Sequence, residues 1–186
     1  VWLLASSSTL VTASFWGAQF EQHPIATTYV KSNGILGQRK SSTTNTLVYS
    51  EDFSQWVVDG NASITSNAIT SPIGTSNATK LIAGLSSGRQ AIKLSNALTG
   101  DITISVFAKQ GEYSVIQLTD ARNGSAFINF DLQNGSVGSS NVFTGQITDE
   151  GNGWYRCSAT YNSANDMLSV RISIAENAVG ARLQNF

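Results

Sequence analysis

The chain of 186 residues is short of cysteine, histidine and charge, and each shortage excludes a class of function. One cysteine, Cys157, rules out an intrachain disulfide framework and a metal site built from several thiolates. One histidine, His23, provides no cluster of imidazoles for metal binding. Charged residues make up only 12% of the chain and the formal net charge is −1, so there is no basic stripe for nucleic acid or an anionic membrane. We therefore expect no nucleic-acid partner.

The first twenty residues also lack the features of a targeting segment. They are largely apolar, but no basic residues precede them and a Ser/Thr run at 6–9 interrupts them. Neither a signal peptide nor a membrane span fits this pattern, so we expect no membrane insertion. Because the first residue is Val1, we expect a processed chain or a fragment of a longer one.

Ser, Thr, Asn and Gly are abundant, and they surround short segments in which apolar and polar residues alternate. Residues 102–107 alternate clearly, Asn-Gly pairs mark tight turns, and residues 95–100 are predicted to form another turn. With no helical period, the pattern predicts an all-β fold, an antiparallel β-sandwich. The residues expected in its core are Leu47, Ile104, Val106, Ile116, Phe130, Trp154, Tyr155, Cys157 and Ile172.

The clearest of these strands follows the Asn152-Gly153 turn. Tyr155 and Cys157 share one face of this strand, and Trp154 lies on the other. Large aromatic residues mostly fill cores, so we interpret Trp154 as a plug at the end of the sandwich rather than as a sugar platform. Cys157 is expected to be a buried, inert thiol.

An internal repeat indicates how the chain is organised. Residues 16–22 (WGAQFEQ) match residues 179–185 (VGARLQN), and residues 1–5 match residues 170–174. We interpret the chain as three parts: the C-terminal strands of a preceding repeat at 1–30, a linker at 31–44 and the β-sandwich module at 45–186.

Residues 1–30 need a surface to pack against, because an isolated hairpin is marginally stable in water. That surface is an upstream part of the same polypeptide, a neighbouring subunit that receives the strands into its sheet, or the module itself. We favour a partner outside this chain, because the linker lets the segment reach away from the module.

Segments of the module resemble, in order, the signatures of a known family. They are residues 45–56, 104–112, 130–138 and 151–158, and residues 16–29 are similar to the closing segment of the same family. The family is a carbohydrate-binding-like jelly-roll module that is repeated in bacteriophage tail fibres and other virion proteins. The resemblance implies a jelly roll in a virion or extracellular setting, a homo-oligomer with other virion subunits as partners, and contact with host surface glycan. The second copy of the closing segment departs from the family at Val179, where an aromatic residue is expected.

Sugar binding needs an exposed aromatic ring flanked by planar donors and acceptors. Trp56, Tyr113, Arg122 and Asn123 are the candidates, because they belong to predicted loops. The alternative is that Trp56 and Tyr113 anchor their loops to the sandwich, and we favour that alternative for these two residues.

No organic cofactor is expected, but modules of the family that the chain resembles often hold a structural calcium ion. Calcium takes carboxylate and carbonyl oxygens. Glu51, Asp52 and Asp101 are the residues that would contribute to such a site.

Catalytic residues are not predicted. His23 lies outside the predicted module, and two carboxylate pairs, 51–52 and 149–150, fall in polar turns where solvation is the simpler interpretation. The leading hypothesis is a non-enzymatic structural and adhesion module of a phage virion, from a tail fibre or a capsid-attached fibre. The alternatives are a purely architectural virion protein that packs on neighbouring subunits, and an accessory carbohydrate-binding domain of a secreted glycosidase.

Overall fold

The computed structural model describes residues 12–32, 37–38, 44–85, 88–120 and 126–178 of the chain. Regular structure in these residues is almost entirely β, with one short 3-10 turn at Phe53–Gln55. The strands are, in chain order, β1 (Thr12–Glu21), β2 (Gly37–Gln38), β3 (Thr44–Asn45), β4 (Val57–Gly60), β5 (Ser63–Ile69), β6 (Ala78–Ile82), β7 (Gln90–Gln110), β8 (Val115–Asp120), β9 (Phe127–Asp131), β10 (Ser136–Ser140), β11 (Thr144–Gly151) and β12 (Trp154–Ala175). Among the described residues, no helix has the length and apolar character needed to cross a bilayer.

Two long strands, β7 and β12, take part in both of the large sheets that the structure describes, and β2 pairs separately with β3. The first half of β7 pairs with β4 and with the second half of β12, which leads on to β8, β9 and β10. The second half of β7 pairs with β1 and with the first half of β12, which also pairs with β11. The first sheet thus has the order β4-β7-β12-β8-β9-β10, and the second sheet has the order β5-β6-β1-β7-β12-β11. Two antiparallel sheets of six strands confirm the predicted β-sandwich.

The turn predicted at residues 95–100 is wrong, because β7 continues through this stretch. Leu98 pairs with Met167 and Gly100 pairs with Ser163, so β12 remains the neighbour of β7 through this stretch. Gly100 has a φ of +85°, and the register of β12 shifts between Ser163 and Met167. The two strands therefore pass together from one sheet to the other.

The apolar faces of the two sheets meet in a buried cluster. The alternation predicted for the second half of β7 is observed, since Ile102, Ile104 and Val106 are fully buried. Burial of each such side chain contributes roughly 1.5–3 kcal/mol. The expected core residues that are confirmed as buried are Leu47, Ile104, Val106, Ile116, Phe130, Trp154, Cys157 and Ile172. Tyr155 is only partly buried, at the margin of the cluster, so its placement in the core was wrong.

The turn before β12 has the geometry that its sequence predicts. Asn152 and Gly153 have positive φ values of +53° and +77°, as a tight two-residue turn requires. Trp154 is buried, and its indole N–H donates to the carbonyl of Thr70 at 3.2 Å, which confirms its interpretation as a plug. Cys157 is buried on the opposite face, and burial raises the pKa of its thiol well above the ordinary value.

Strand β1 lies inside the second sheet, between β6 and β7. It pairs with β6 through residues 12–15 and with β7 through residues 13–21. All ten of its residues are buried, and Phe15 and Phe20 are fully so. The favoured partner outside the chain is thus not what residues 12–21 use in this structure, where they dock onto the module of their own chain, the alternative that was not favoured. Trp2, which belongs to the same prediction, lies outside the described residues.

A bulge at Gly17 allows β1 to change neighbours. Gly17 has a φ of +56°, and a Cβ atom at this position would lie 3.1 Å from a ring carbon of Phe107. Beyond the bulge, residues 45–50 replace β6 as the neighbour of β1. The N–H of Ala18, for example, donates to the carbonyl of Ser50 at 2.7 Å. The start of the predicted module therefore completes the hydrogen bonding of β1.

A cluster of charges ties β4 to β7 and β12. The Asp59 carboxylate lies 2.7 Å from Nε of Arg171, 3.0 Å from Nη1 of Arg89 and 3.8 Å from Nζ of Lys93. Burial raises the pKa of Asp59, but the hydrogen bond from Arg89 and the three positive charges outweigh this effect. The pKa of Asp59 is therefore lowered from its ordinary value.

Candidate functional site

Trp56 does not present a platform for a sugar. Its side chain is only 4% exposed, and its ring lies tilted against Phe53 with centroids 5.0 Å apart. The indole N–H donates to the carbonyl of Tyr49 at 3.0 Å, which fixes the loop before β4. Trp56 thus anchors its loop to the sandwich, which is the alternative favoured for it, and it exposes no ring face to a ligand.

Tyr113 lies in the connection between β7 and β8, far along the chain from Trp56. It is partly buried against the core cluster, and its backbone N–H donates to the carbonyl of Thr12 at 3.3 Å. Burial, together with the negative charge of Glu176, raises the pKa of its phenol. The other two sugar-binding candidates, Arg122 and Asn123, lie outside the described residues.

The three predicted calcium ligands do not assemble into one site. Glu51 is held by Lys31, whose Nζ lies 2.9 Å from Oε2, and by the Tyr29 hydroxyl, which donates to Oε1 at 3.1 Å. Asp52 caps the 3-10 turn, and Asp101 is exposed where β7 bends. In the part of the chain that the structure describes, no group of three or more His, Cys, Asp or Glu residues is arranged to hold a metal ion. The structure therefore does not bring the three predicted ligands together.

Glu51 and Asp52 instead line a polar cleft of about 390 Å³ beside β5 and β6. Its remaining walls are hydroxyl, amide and amine groups, and no aromatic ring belongs to them. The Tyr29 hydroxyl, which bonds to Glu51, also lies 2.9 Å from Oγ of Ser50, and burial raises the pKa of this phenol far above its ordinary value. The cleft has groups that bind a polar ligand but no surface on which a sugar ring stacks.

A second cleft, of about 450 Å³, lies at the end of the sandwich where β7 ends and β12 begins, and we call it the Tyr155 cleft. It contains the partly exposed ring of Tyr155, the exposed amides of Gln110 and Gln133, and the amine of Lys109. An aromatic ring beside planar amides is the combination that sugar binding requires. The complete lining is Lys109, Gln110, Gly111, Leu132, Gln133, Gly153 and Tyr155.

The walls of the Tyr155 cleft are fixed by local hydrogen bonds. Oδ1 of Asp131 accepts from the backbone N–H groups of Gln133 and Asn134 at 2.9 and 3.1 Å, which shapes the turn between β9 and β10. Gly135 in this turn has a φ of +60°, and a Cβ atom there would lie 2.9 Å from Cε1 of Tyr155. The turn thus packs closely against one edge of the ring.

The opposite wall is held by Lys109. Its Nζ donates to the carbonyl of Asn152 at 2.6 Å, which joins the end of β7 to the turn before β12. The β9–β10 turn thus packs on the ring of Tyr155 and the Lys109 bond fixes the turn before β12, so the cleft is formed before any ligand binds, and this reduces the conformational entropy that binding costs.

The sequence reasoning missed Tyr155 as a site residue because its alternation with Cys157 indicates the core face. One feature of the sequence indicates its exposure: Tyr155 is the first inward-facing residue after the Asn152-Gly153 turn, which lies at the end of the sandwich. At such a position the neighbouring strands also end, and an inward side chain remains partly open to solvent.

Comparison with known proteins adds no family to this description. No protein-family model matches the chain, and no curated protein sequence matches it. The functional interpretation therefore rests on the residues and their geometry.

Proposed function

We propose that the chain is a non-enzymatic structural and adhesion module of a phage virion, from a tail fibre or a capsid-attached fibre, and that it contacts host surface glycan through the Tyr155 cleft. The β-sandwich, the scarcity of charge and the resemblance of segments such as 151–158 to virion modules support this assignment. The observation that supports the glycan contact is that the partly exposed Tyr155 lines the same cleft as the side chains of Gln110 and Gln133.

Each group in the cleft has a defined part in this proposal. The apolar C–H face of a pyranose ring packs on Tyr155, and the amides of Gln110 and Gln133 donate to and accept from the sugar hydroxyls. The Lys109 amine adds a donor at the rim. A site with one ring and three polar side chains binds a sugar weakly, so adhesion depends on many copies that act together on one surface.

A glycan-binding screen tests this proposal. The full chain is displayed in many copies on beads and exposed to bacterial surface polysaccharides and a panel of oligosaccharides. We expect retention of at least one glycan, at least a tenfold loss of retention with Tyr155→Ala, and a smaller loss with Gln133→Ala. Val57→Ala, which changes an exposed residue on β4, is the matched control and is expected to bind as the parent chain does.

Two results would count against the glycan contact. If the folded parent chain retains no glycan, adhesion through this module is refuted. If glycan is retained equally by the parent and by Tyr155→Ala, binding occurs elsewhere on the chain and the assignment of the cleft is refuted.

A purely architectural role has one observation in its favour. In the described part of the chain, β4 pairs on one side with β7 and forms an edge of the first sheet, and its Val57 and Val58 are 59% and 40% exposed. Apolar residues on a strand edge favour pairing with another subunit. If this edge joins subunits, Val57→Lys lowers the oligomer mass measured by light scattering and leaves glycan retention unchanged.

A further inference from the structure

We infer that residues 12–32 form an exchangeable closing strand, which joins two copies of this chain when it fills the slot between β6 and β7 of the other copy. The slot is defined by the edges of these two strands around residues 12–15, and beyond Gly17 by β7 and residues 45–50, which replace β6. Without a strand in this place, two sheet edges and the core positions of Phe15 and Phe20 are open to solvent. The sandwich therefore needs a closing strand, from its own chain or from another.

The sequence of the closing strand matches the shape of the slot. Gly17 forms the bulge, where a Cβ atom would lie within 3.2 Å of the rings of both Phe107 and Tyr29. Ala18 and Phe20 then point into the core and are fully buried. The slot therefore requires a small residue at the bulge (position 17), a small residue at position 18 and a large apolar residue at position 20.

Residues 19–30 are also fastened to one another. The Oε1 atom of Glu21 accepts from the backbone N–H of Thr27, and Oε2 accepts from the Thr27 hydroxyl, both at 2.6 Å. The Gln19 side chain accepts from the N–H of Val30 at 2.7 Å. Because these bonds lie within the segment, strand β1 and the residues after it can enter a slot as one unit.

The sequence contains a second segment of the same pattern. Residues 179–185 (VGARLQN) repeat WGAQFEQ, with Gly180, Ala181 and Leu183 at the positions of Gly17, Ala18 and Phe20. The sequence pattern of the closing strand thus occurs twice, once before the residues that form the slot and once after them. In this alignment, Arg182 replaces Gln19 and Gln184 replaces Glu21, whose side chains bond to Val30 and Thr27. Residues 12–32 therefore match the requirements of the slot better than residues 179–185 do. This duplication indicates that the closing strand and the slot that it fills can be supplied separately, the strand by one copy and the slot by another.

Exchange between two copies keeps the contacts of the slot unchanged. The same residues pair and the same side chains are buried, whichever copy supplies the strand, so the balance between the two forms depends on chain concentration. Concentrated chains, as in a fibre with many copies, favour the exchanged form.

Disulfide trapping in the full chain tests the inference. Ser14 on β1 is the register partner of Lys109 on β7, and native Cys157 is replaced by serine in all variants. One population carries Ser14→Cys and the other carries Lys109→Cys. The two are unfolded, mixed, refolded together and oxidised. A disulfide between the two chains forms only when β1 of one copy enters the slot of the other.

We expect a disulfide-linked dimer whose yield rises with protein concentration during refolding. Mixing Ser14→Cys with Thr148→Cys is the matched control, because Thr148 is exposed on β11 and does not adjoin β1; it is expected to give only background dimer. A chain that carries both Ser14→Cys and Lys109→Cys is expected to close its disulfide within the monomer in dilute solution.

The inference is overturned if the mixed populations stay monomeric at every concentration while the double variant closes its disulfide. It is overturned equally if the Thr148 control yields as much dimer, because the cross-link then reports random collision. Failure of the double variant to close would show that β1 does not occupy the slot, and the inference would fall with that assignment.

Discussion

Truncation of Phe20 tests directly whether β1 is a structural part of the sandwich. The side chain is fully buried, its residue pairs with Ile104 of β7, and its backbone N–H donates to Oδ1 of Asn45 at 3.1 Å. Phe20→Ala leaves the backbone bonds in place and removes the ring from the core. Replacement of a buried Phe by Ala costs about 3–5 kcal/mol, through lost transfer free energy and the cavity that remains.

This loss is large compared with the stability of a typical domain, about 5–15 kcal/mol. The free energy of unfolding is measured by urea titration with tryptophan fluorescence as the signal, since Trp16 and Trp154 are buried. Ile25→Ala is the control, because Ile25 is 65% exposed and its truncation is expected to change stability by no more than about 0.5 kcal/mol. If Phe20→Ala also costs less than about 1 kcal/mol, β1 does not contribute to the core and the described fold is wrong in this strand.

Three further predictions concern pH, reactivity and catalysis. The pKa of Asp59 is lowered in the folded state, so its contribution to stability is complete above the ordinary value of about 3.9 and is lost as the pH falls through the folded pKa. As the pH is lowered, the free energy of unfolding should therefore fall less steeply for Asp59→Asn than for the parent chain. An unchanged pH profile would contradict the ion cluster. Because burial raises the pKa of Cys157, a thiol reagent at pH 8 should label the chain only after unfolding, whereas equal labelling of the folded chain would contradict its burial. Assays with polysaccharides and generic esters should stay at background, and turnover that His23→Ala or Glu51→Gln abolishes would show that the chain is an enzyme.

The alternation of residues predicted which side chains face the core but not which strands are neighbours. Ile104 and Val106 were placed correctly, because every second residue of a strand faces the same side. In β1 the same rule would put Phe15 and Phe20 on opposite faces, and only the bulge at Gly17 brings both into the core, against strands that the pattern does not identify. Sheet neighbours are chosen by long-range packing, so the position of β1 required the structure.

The candidate site was harder to predict than the core. The sequence favours an anchor for an aromatic residue in a polar loop but does not exclude a ligand platform, and the hydrogen bond from Trp56 to Tyr49, which distinguishes the two, is visible only in the structure. Tyr155 presents the opposite case, since its alternation indicates the core and its exposure depends on where neighbouring strands end. The exposure of side chains at the ends of a sandwich therefore cannot be predicted from the local residue pattern.

The central structural claim is that residues 12–21 belong to the second sheet, and native-state amide hydrogen exchange of the full chain measures this directly. The account predicts that the amides of Phe15 and Phe20 exchange as slowly as those of Ile104 and Val106 on β7, because the two strands open together. Rapid exchange throughout β1, with β7 still protected, would contradict it.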